Sequence, residues 1–225
     1  MLSKQKHEQI LKNILKDIYT SSNLQARLVF KGGTCLYMFY DLDRFSVDLD
    51  FNVISSDFDD KQITDILTKY LSLTDKFQKH FTWLWFGSYQ KGMQGVKVEI
   101  SKRDFPDTYV NKNFYGITVP TLSPDCIFAH KLCAISDRSK MQNRDLYDAH
   151  FMFAKDFPIN EEIIKVRTGK TLKEYFLYLI DFIEKNTKSN KILEGLGELL
   201  SDSQKDRVRE TLLRDILFDL KSRTR

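Results

Sequence analysis

The sequence predicts a mixed α/β fold (α+β in the order of its elements), with a small mixed sheet flanked by helices and a helical region after it. Three observations predict this. From Arg44 to Val53 polar and apolar residues alternate without a break, the period of a strand with one face in a core. Two more runs, 80–89 and 94–101, are rich in aromatic and β-branched residues, the composition of a half-buried sheet. Beyond residue 160 the apolar stripes recur at helical spacing throughout.

The elements follow in order. Ile10, Leu11, Ile14, Leu15 and Ile18 mark an amphipathic first helix. Leu28–Phe30 reads as a short strand running into a Gly32-Gly33 turn, and Thr34 starts a short helix to Tyr40. The alternating strand comes next. Ile63, Ile66, Leu67, Tyr70 and Leu71 share one side of a second helix. The strands over 80–89 and 94–101 are joined by a turn around Lys91-Gly92. Phe114–Val119 reads as one more strand, stopped by Pro120. Ser123 is a good N-cap, with Pro124 at the first helical position, for a helix to Ile135. Another helix runs from about Asn143 to Ala154. The C-terminal stripes are Leu172, Tyr175, Phe176, Leu179, Ile180 and Ile183, then Val208, Leu212, Leu213, Ile216, Leu217 and Leu220. The change of pattern near Pro158 sets the expected boundary: a core over 1–157 and a helical region over 158–225.

Composition narrows the class. At 225 residues, 42% hydrophobic and 29% charged, the chain can bury a proper core and is not dominated by disorder. The net charge of +4 is compatible with a nucleotide or RNA partner without identifying one. Cys35, Cys126 and Cys133 are an odd number with no CxxC pair. They read as reduced thiols of a cytoplasmic protein with no zinc site. No apolar stretch approaches 18 residues, so no membrane span and no signal peptide are expected.

The chemistry concentrates on the polar side of the alternating strand. Asp48 and Asp50 are next neighbours there, and like charges that close need a cation, a shared proton or good solvation. One reading is a solvated strand face. The other is a pair of carboxylates holding one or two Mg²⁺ ions that bridge nucleotide phosphates. Upstream, with 13 residues between Thr34 and Asp48, the segment Gly32-Gly33-Thr34 opens a helix. Backbone N–H groups and the helix dipole favour an anion at such a place, and the Thr34 hydroxyl could add a donor; a tight turn alone would also ask for glycine. Lys131 lies four residues after Ile127 and four before Ile135, inside an apolar stripe. Its head must reach a partner or snorkel to water. Asp145 and Asp148 share a helix face; one of them could accept a proton or orient Lys131, or Arg144 and Asp148 could simply form a surface pair. Glu99 and Lys97 share the polar face of their strand, in a metal role or simply solvated.

These residues resemble the nucleotidyltransferase superfamily that includes DNA polymerase β, and within it the AbiEii/AbiGii toxin family. The superfamily pattern is GG or GS, a helix, then a DxD or DxE strand. The toxin family's form is similar to Lys31-Gly32-Gly33-Thr34 followed by Arg44, Ser46, Asp48, Leu49, Asp50 and Phe51. A second motif, a lysine on a helix and then (R/K)DxxD, is matched by Lys131, Arg144, Asp145 and Asp148. The match spans roughly residues 28–155.

The resemblance implies a polymerase β-type nucleotidyltransferase core that transfers a nucleotide from an NTP to an acceptor hydroxyl with Mg²⁺ or Mn²⁺. It places the nucleotide at Gly32, Gly33, Thr34, Arg44, Ser46 and Lys131. The metal falls to Asp48, Asp50 and a third carboxylate, here Glu99 where Asp is common. Asp145 becomes the base or orienting group. It also implies the toxin of a toxin–antitoxin or abortive-infection system, with a tRNA 3′ end as acceptor and a cognate antitoxin as partner. The alternatives are a small-molecule nucleotidyltransferase of the antibiotic-modifying kind and a non-catalytic nucleotide-binding module.

Overall fold

The stripe in the opening residues forms α1 (Lys4–Thr20), which buries Leu11, Ile14, Leu15 and Ile18 and leaves Ile10 at the edge. The computed structural model describes residues 4–55, 58–90, 95–138 and 140–224. A single turn, α2 (Ser22–Gln25), leads to β1 (Leu28–Lys31), which passes directly into α3 (Gly32–Phe39). Then come β2 (Leu49–Val53), α4 (Asp60–Leu67), β3 (Ser72–Lys79), β4 (Thr82–Ser88), β5 (Val96–Ser101), β6 (Tyr109–Phe114) and β7 (Ile117–Leu122).

These strands form one mixed sheet in the order β3-β4-β5-β2-β1-β7-β6. Strands β2 and β5 run parallel, as do β1 and β7, and the remaining neighbours are antiparallel. Register decides what meets what: Asp50 stands opposite Lys31 of β1 on one side and Glu99 of β5 on the other. The alternation holds on the core side, where Phe45, Val47, Leu49 and Phe51 are buried. Its polar side is not an open face, however. Arg44, Ser46 and Asn52 are buried too, because α3 packs over β2.

The two strands the sequence reading missed, β3 and β6, are the outermost of the sheet. Their residues are mostly exposed and polar, which blunts an edge and erases the apolar alternation that reveals a strand. Strand β7 also runs past Pro120 to Leu122, contrary to expectation. The hairpin closes with Phe114 opposite Ile117 around Tyr115 and Gly116, both at positive φ. Alternation then puts the Asn111–Pro120 pair at a position with no hydrogen bond to β6. The expected turn at Lys91-Gly92 lies outside the described residues.

The chain divides into two compact units, Met1–Asp104 with Tyr109–Leu122, and Phe105–Thr108 with Ser123–Arg225. The second is helical: α5 (Pro124–Asp137), α6 (Asn143–Ala154), α7 (Glu161–Thr168), α8 (Leu172–Asn186), α9 (Asp202–Arg207) and, after a π-helical turn at Val208–Leu212, α10 (Leu213–Ser222). Helix α5 packs on α6, α7 and α8, and α6 on α10. The expected boundary at 157/158 falls between α6 and α7, inside this unit. Composition changes there, whereas packing changes just after the last strand. The three cysteines are free and buried, and among the described residues no helix is long and apolar enough to cross a membrane.

Candidate active site

In the first unit the glycine turn is shaped by what crowds it. Gly32 sits at φ +81°, and a Cβ there would lie 2.4 Å from Asp50 Oδ2. Only glycine meets both conditions. A Cβ on Gly33 would come within 2.9 Å of Arg44 Nη2 and 3.1 Å of Ser46 Oγ. The start of α3 is thus pressed against the residues that precede β2, with its first backbone N–H groups unspent on helix bonds.

Thr34 is fully buried. Its hydroxyl bonds to Ser46 Oγ at 2.9 Å and donates to the carbonyl of Asp48, so it fixes the approach to β2 from behind. Arg44 is buried and donates from Nη1 to the Phe45 carbonyl at 2.9 Å. His7 of α1 is buried alongside and bonds the Val47 carbonyl through Nε2 at 2.9 Å. Burial lowers its pKa, against opposing contributions from that hydrogen bond and from Asp48.

Asp48, Asp50 and Glu99 are brought together around one lysine that the sequence reading did not single out. Lys97 Nζ lies 2.9 Å from Glu99 Oε2 and 3.5 Å from Asp50 Oδ1. Its backbone N–H donates to Asp48 Oδ1 at 3.3 Å. Burial works against the ammonium, but Asp50, Glu99 and Asp48 outweigh it and raise the Lys97 pKa well above its usual value. The Lys97 ammonium thus stands among carboxylate oxygens, on side chains about a quarter exposed.

Among the described residues no three His, Cys, Asp or Glu side chains converge as a ready-made metal cage. The donor chemistry nevertheless fits a hard divalent cation. The set is all carboxylate oxygen, Gly32 leaves Asp50 Oδ2 uncrowded by a Cβ, and a monocation already stands among the oxygens. Asp48, Asp50 and Glu99 would hold such an ion. The sequence signal for Lys97 was its alternation with Glu99; what periodicity could not supply was that β5 lies beside β2.

In the second unit, the lysine placed in an apolar stripe does reach partners. Lys131 Nζ, on α5, lies 2.7 Å from Asp148 Oδ2 and 3.6 Å from Asp145 Oδ1, both on α6. Asp145 and Asp148 are 1% and 0% exposed. Asp148 is therefore the closer partner of Lys131 and no part of a surface pair. Arg138 Nε stands 3.1 Å from Asp145 Oδ2, a second cation that the sequence reading did not single out. Although flanked by two cations, neither carboxylate oxygen of Asp145 makes a hydrogen bond, so it keeps acceptor capacity in a buried place. His130 is engaged with Asp107 and Arg167, and His150 with Asp219.

The family model described as nucleotidyl transferase AbiEii toxin, type IV toxin–antitoxin system, matches residues 13–223. Among solved structures, JHP933 from Helicobacter pylori is 23% identical with a TM-score of 0.57, over 100% of this chain and 97% of its own. A candidate nucleotidyltransferase from H. pylori is 23% identical with a TM-score of 0.56, over 98% of each chain. Both share the fold. An antigenic nucleotidyltransferase-like protein from Paracoccidioides brasiliensis is 16% identical with a TM-score of 0.47, over 81% of this chain and 92% of its own. No curated protein matches the sequence.

Proposed function

This chain belongs to the AbiEii nucleotidyltransferase toxin family of type IV toxin–antitoxin systems, and on that premise we propose that it transfers a nucleotide from an NTP to the 3′ end of a tRNA, with Mg²⁺ or Mn²⁺ held by its carboxylates. The observation that carries the reading is the convergence of Asp48, Asp50 and Glu99 around Lys97, with Asp50 set directly against a glycine turn that opens a helix.

The start of α3, at Gly32 and Gly33, takes the β- and γ-phosphates on unspent backbone N–H groups. The positive charge of Arg44 lies behind that turn, and Ser46 and Thr34 hold the turn and the Asp48 backbone in register. Asp48, Asp50 and Glu99 hold the ion. When bound it supplies charge stabilisation to the attacking and leaving oxygens. The acceptor oxygen forms a bond to the α-phosphorus, the bond from that phosphorus to the bridging oxygen breaks, and pyrophosphate leaves in line. The family resemblance gives Lys131 the role of neutralising phosphate and Asp145 that of base or orienting group. The family implies an antitoxin that restrains the activity, and the toxin acts in the cytoplasm on translation.

The test is induced expression of wild type beside Asp48→Ala/Asp50→Ala, scoring growth and incorporation of α-labelled NTPs into cellular RNA. Growth arrest and tRNA labelling that both vanish in the double variant support the reading. Unlabelled tRNA across all four NTPs with Mg²⁺ and Mn²⁺ sinks the tRNA assignment and turns the search to small-molecule acceptors. NTP binding without turnover on any acceptor would make the chain a binding module.

A further inference from the structure

The carboxylate face of the sheet does not end at Glu99. Across β4 and β5, Lys97 stands opposite Phe86 and Glu99 opposite Leu84. Across β3 and β4, Phe77 stands opposite Leu84 and Asp75 opposite Phe86. Directly opposed residues share a face, so the row that begins with the carboxylates continues as Leu84, Phe86 and Phe77. Phe77 is 47% exposed, and its ring meets that of Phe86 edge to face at 6.1 Å. Trp85 lies on the other face, fully buried. At the near end of this surface is a cavity of about 480 Å³, whose walls include Asp48 and Lys97 on one side and Thr74, Asp75, Phe86 and Ser88 on the other.

We propose that this cavity, with the aromatic face beside it, receives the terminal nucleoside of a polynucleotide acceptor. The inference rests on the reading of the site as a nucleotidyltransferase centre acting on RNA, and it assigns the two ends of the reaction to the two flanks of β2. In an in-line displacement the attacking and leaving oxygens lie on opposite sides of the phosphorus. The glycine turn, which suits the departing pyrophosphate, flanks β2 on the β1 side. The cavity flanks it on the β5 side. With the α-phosphorus at the carboxylates between them, the acceptor hydroxyl arrives from β5, β4 and β3.

The lining agrees with a nucleoside. Phe86 offers a ring for stacking, which tolerates any base, and Phe77 continues that surface outward for a preceding base. Ser88 and Asp75 supply a hydroxyl and a carboxylate for ribose hydroxyls. Thr74 donates to the Phe86 carbonyl at 3.3 Å, which ties β3 to the strand that carries the ring. Among the described residues, Asp75 is the one carboxylate of the wall apart from Asp48. A polycationic small molecule would call for several. The volume falls within the roughly 300–1,000 Å³ range of small-molecule sites.

Two measurements on the full chain test this. A decaribonucleotide ending in 4-thiouridine is irradiated on the enzyme with Mg²⁺ and a non-hydrolysable NTP analogue, and the cross-linked peptide is mapped. The cross-link is expected within 72–88 or at 95–97, the segments that wall the cavity, while an 8-azido NTP labels peptides elsewhere. A cross-link from the RNA end outside those segments, or azido-NTP labelling within 72–88, overturns the assignment. Separately, Phe86→Leu should raise the acceptor KM about ten-fold with the NTP KM unchanged, and Phe86→Tyr should restore it. An unchanged acceptor KM in Phe86→Leu overturns the inference while leaving the enzyme's function intact. Wild type that transfers nothing to any RNA overturns the functional reading itself.

Discussion

The two charged clusters are built on opposite principles. In the first unit Asp50 and Glu99 meet the Lys97 ammonium, Asp48 meets its backbone N–H, and the cluster keeps partial access to solvent. In the second unit Asp145 and Asp148 face two cations, Lys131 and Arg138, and both carboxylates are essentially sealed. The first is open to solvent, as a site that takes up an ion must be. The second is closed, tying α5 to α6. Access separates them, because the ion-pair distances themselves overlap. The same contrast explains why removing one charge should have different consequences in the two places.

The largest effect is expected in the open cluster. Asp48→Asn should lower nucleotide transfer on the order of a thousand-fold, since the ion's charge stabilisation is worth several kcal/mol, while the far-UV spectrum and melting temperature stay near wild type. In the closed cluster the order inverts. Asp148→Asn leaves the Lys131 ammonium with a weakened partner, and removing one member of a buried pair costs about 3–5 kcal/mol. Denaturant unfolding should report that loss, and a variant as stable as wild type would show that the pair is not a structural tie.

Gly32→Ala tests the contact between turn and strand. A positive φ at a non-glycine residue costs on the order of 1–3 kcal/mol, and the new methyl would press on Asp50 Oδ2. Weakened NTP binding with a modest drop in stability is the expected pair of readouts. The smallest effect belongs to Lys97→Met. Three carboxylates without their ammonium should lower the melting temperature at neutral pH in chelator, and added Mn²⁺ should restore it more fully than it shifts wild type. Equal shifts in both proteins would mean that Lys97 and the ion do not occupy common ground.

The chemistry was legible in the sequence where it is local and illegible where it depends on pairing. Asp48, Asp50 and the glycine turn lie within 20 residues, and the alternation from Arg44 to Val53 showed the core side of that segment without structural help. Lys131 was visible because a lysine in an apolar stripe is out of place, and its head does meet carboxylates. Lys97 and Glu99 were seen on a common face, yet their meeting with Asp50 follows from β5 lying parallel to β2 almost 50 residues away, which no periodicity encodes. Arg44 and Ser46 lie on the polar side of the alternation and are nevertheless buried, because α3 folds back over them. The edge strands β3 and β6 escaped notice since an edge strand needs no apolar face.

The most direct test of the central claim is an Mn²⁺ titration followed by electron paramagnetic resonance, on wild type and Asp50→Asn, with and without a non-hydrolysable NTP analogue. Wild type should bind Mn²⁺ at the carboxylate cluster and bind it more tightly with the analogue present, and Asp50→Asn should lose both. Equal Mn²⁺ binding by the two proteins under both conditions would contradict the assignment of Asp48, Asp50 and Glu99 as the metal and nucleotide centre.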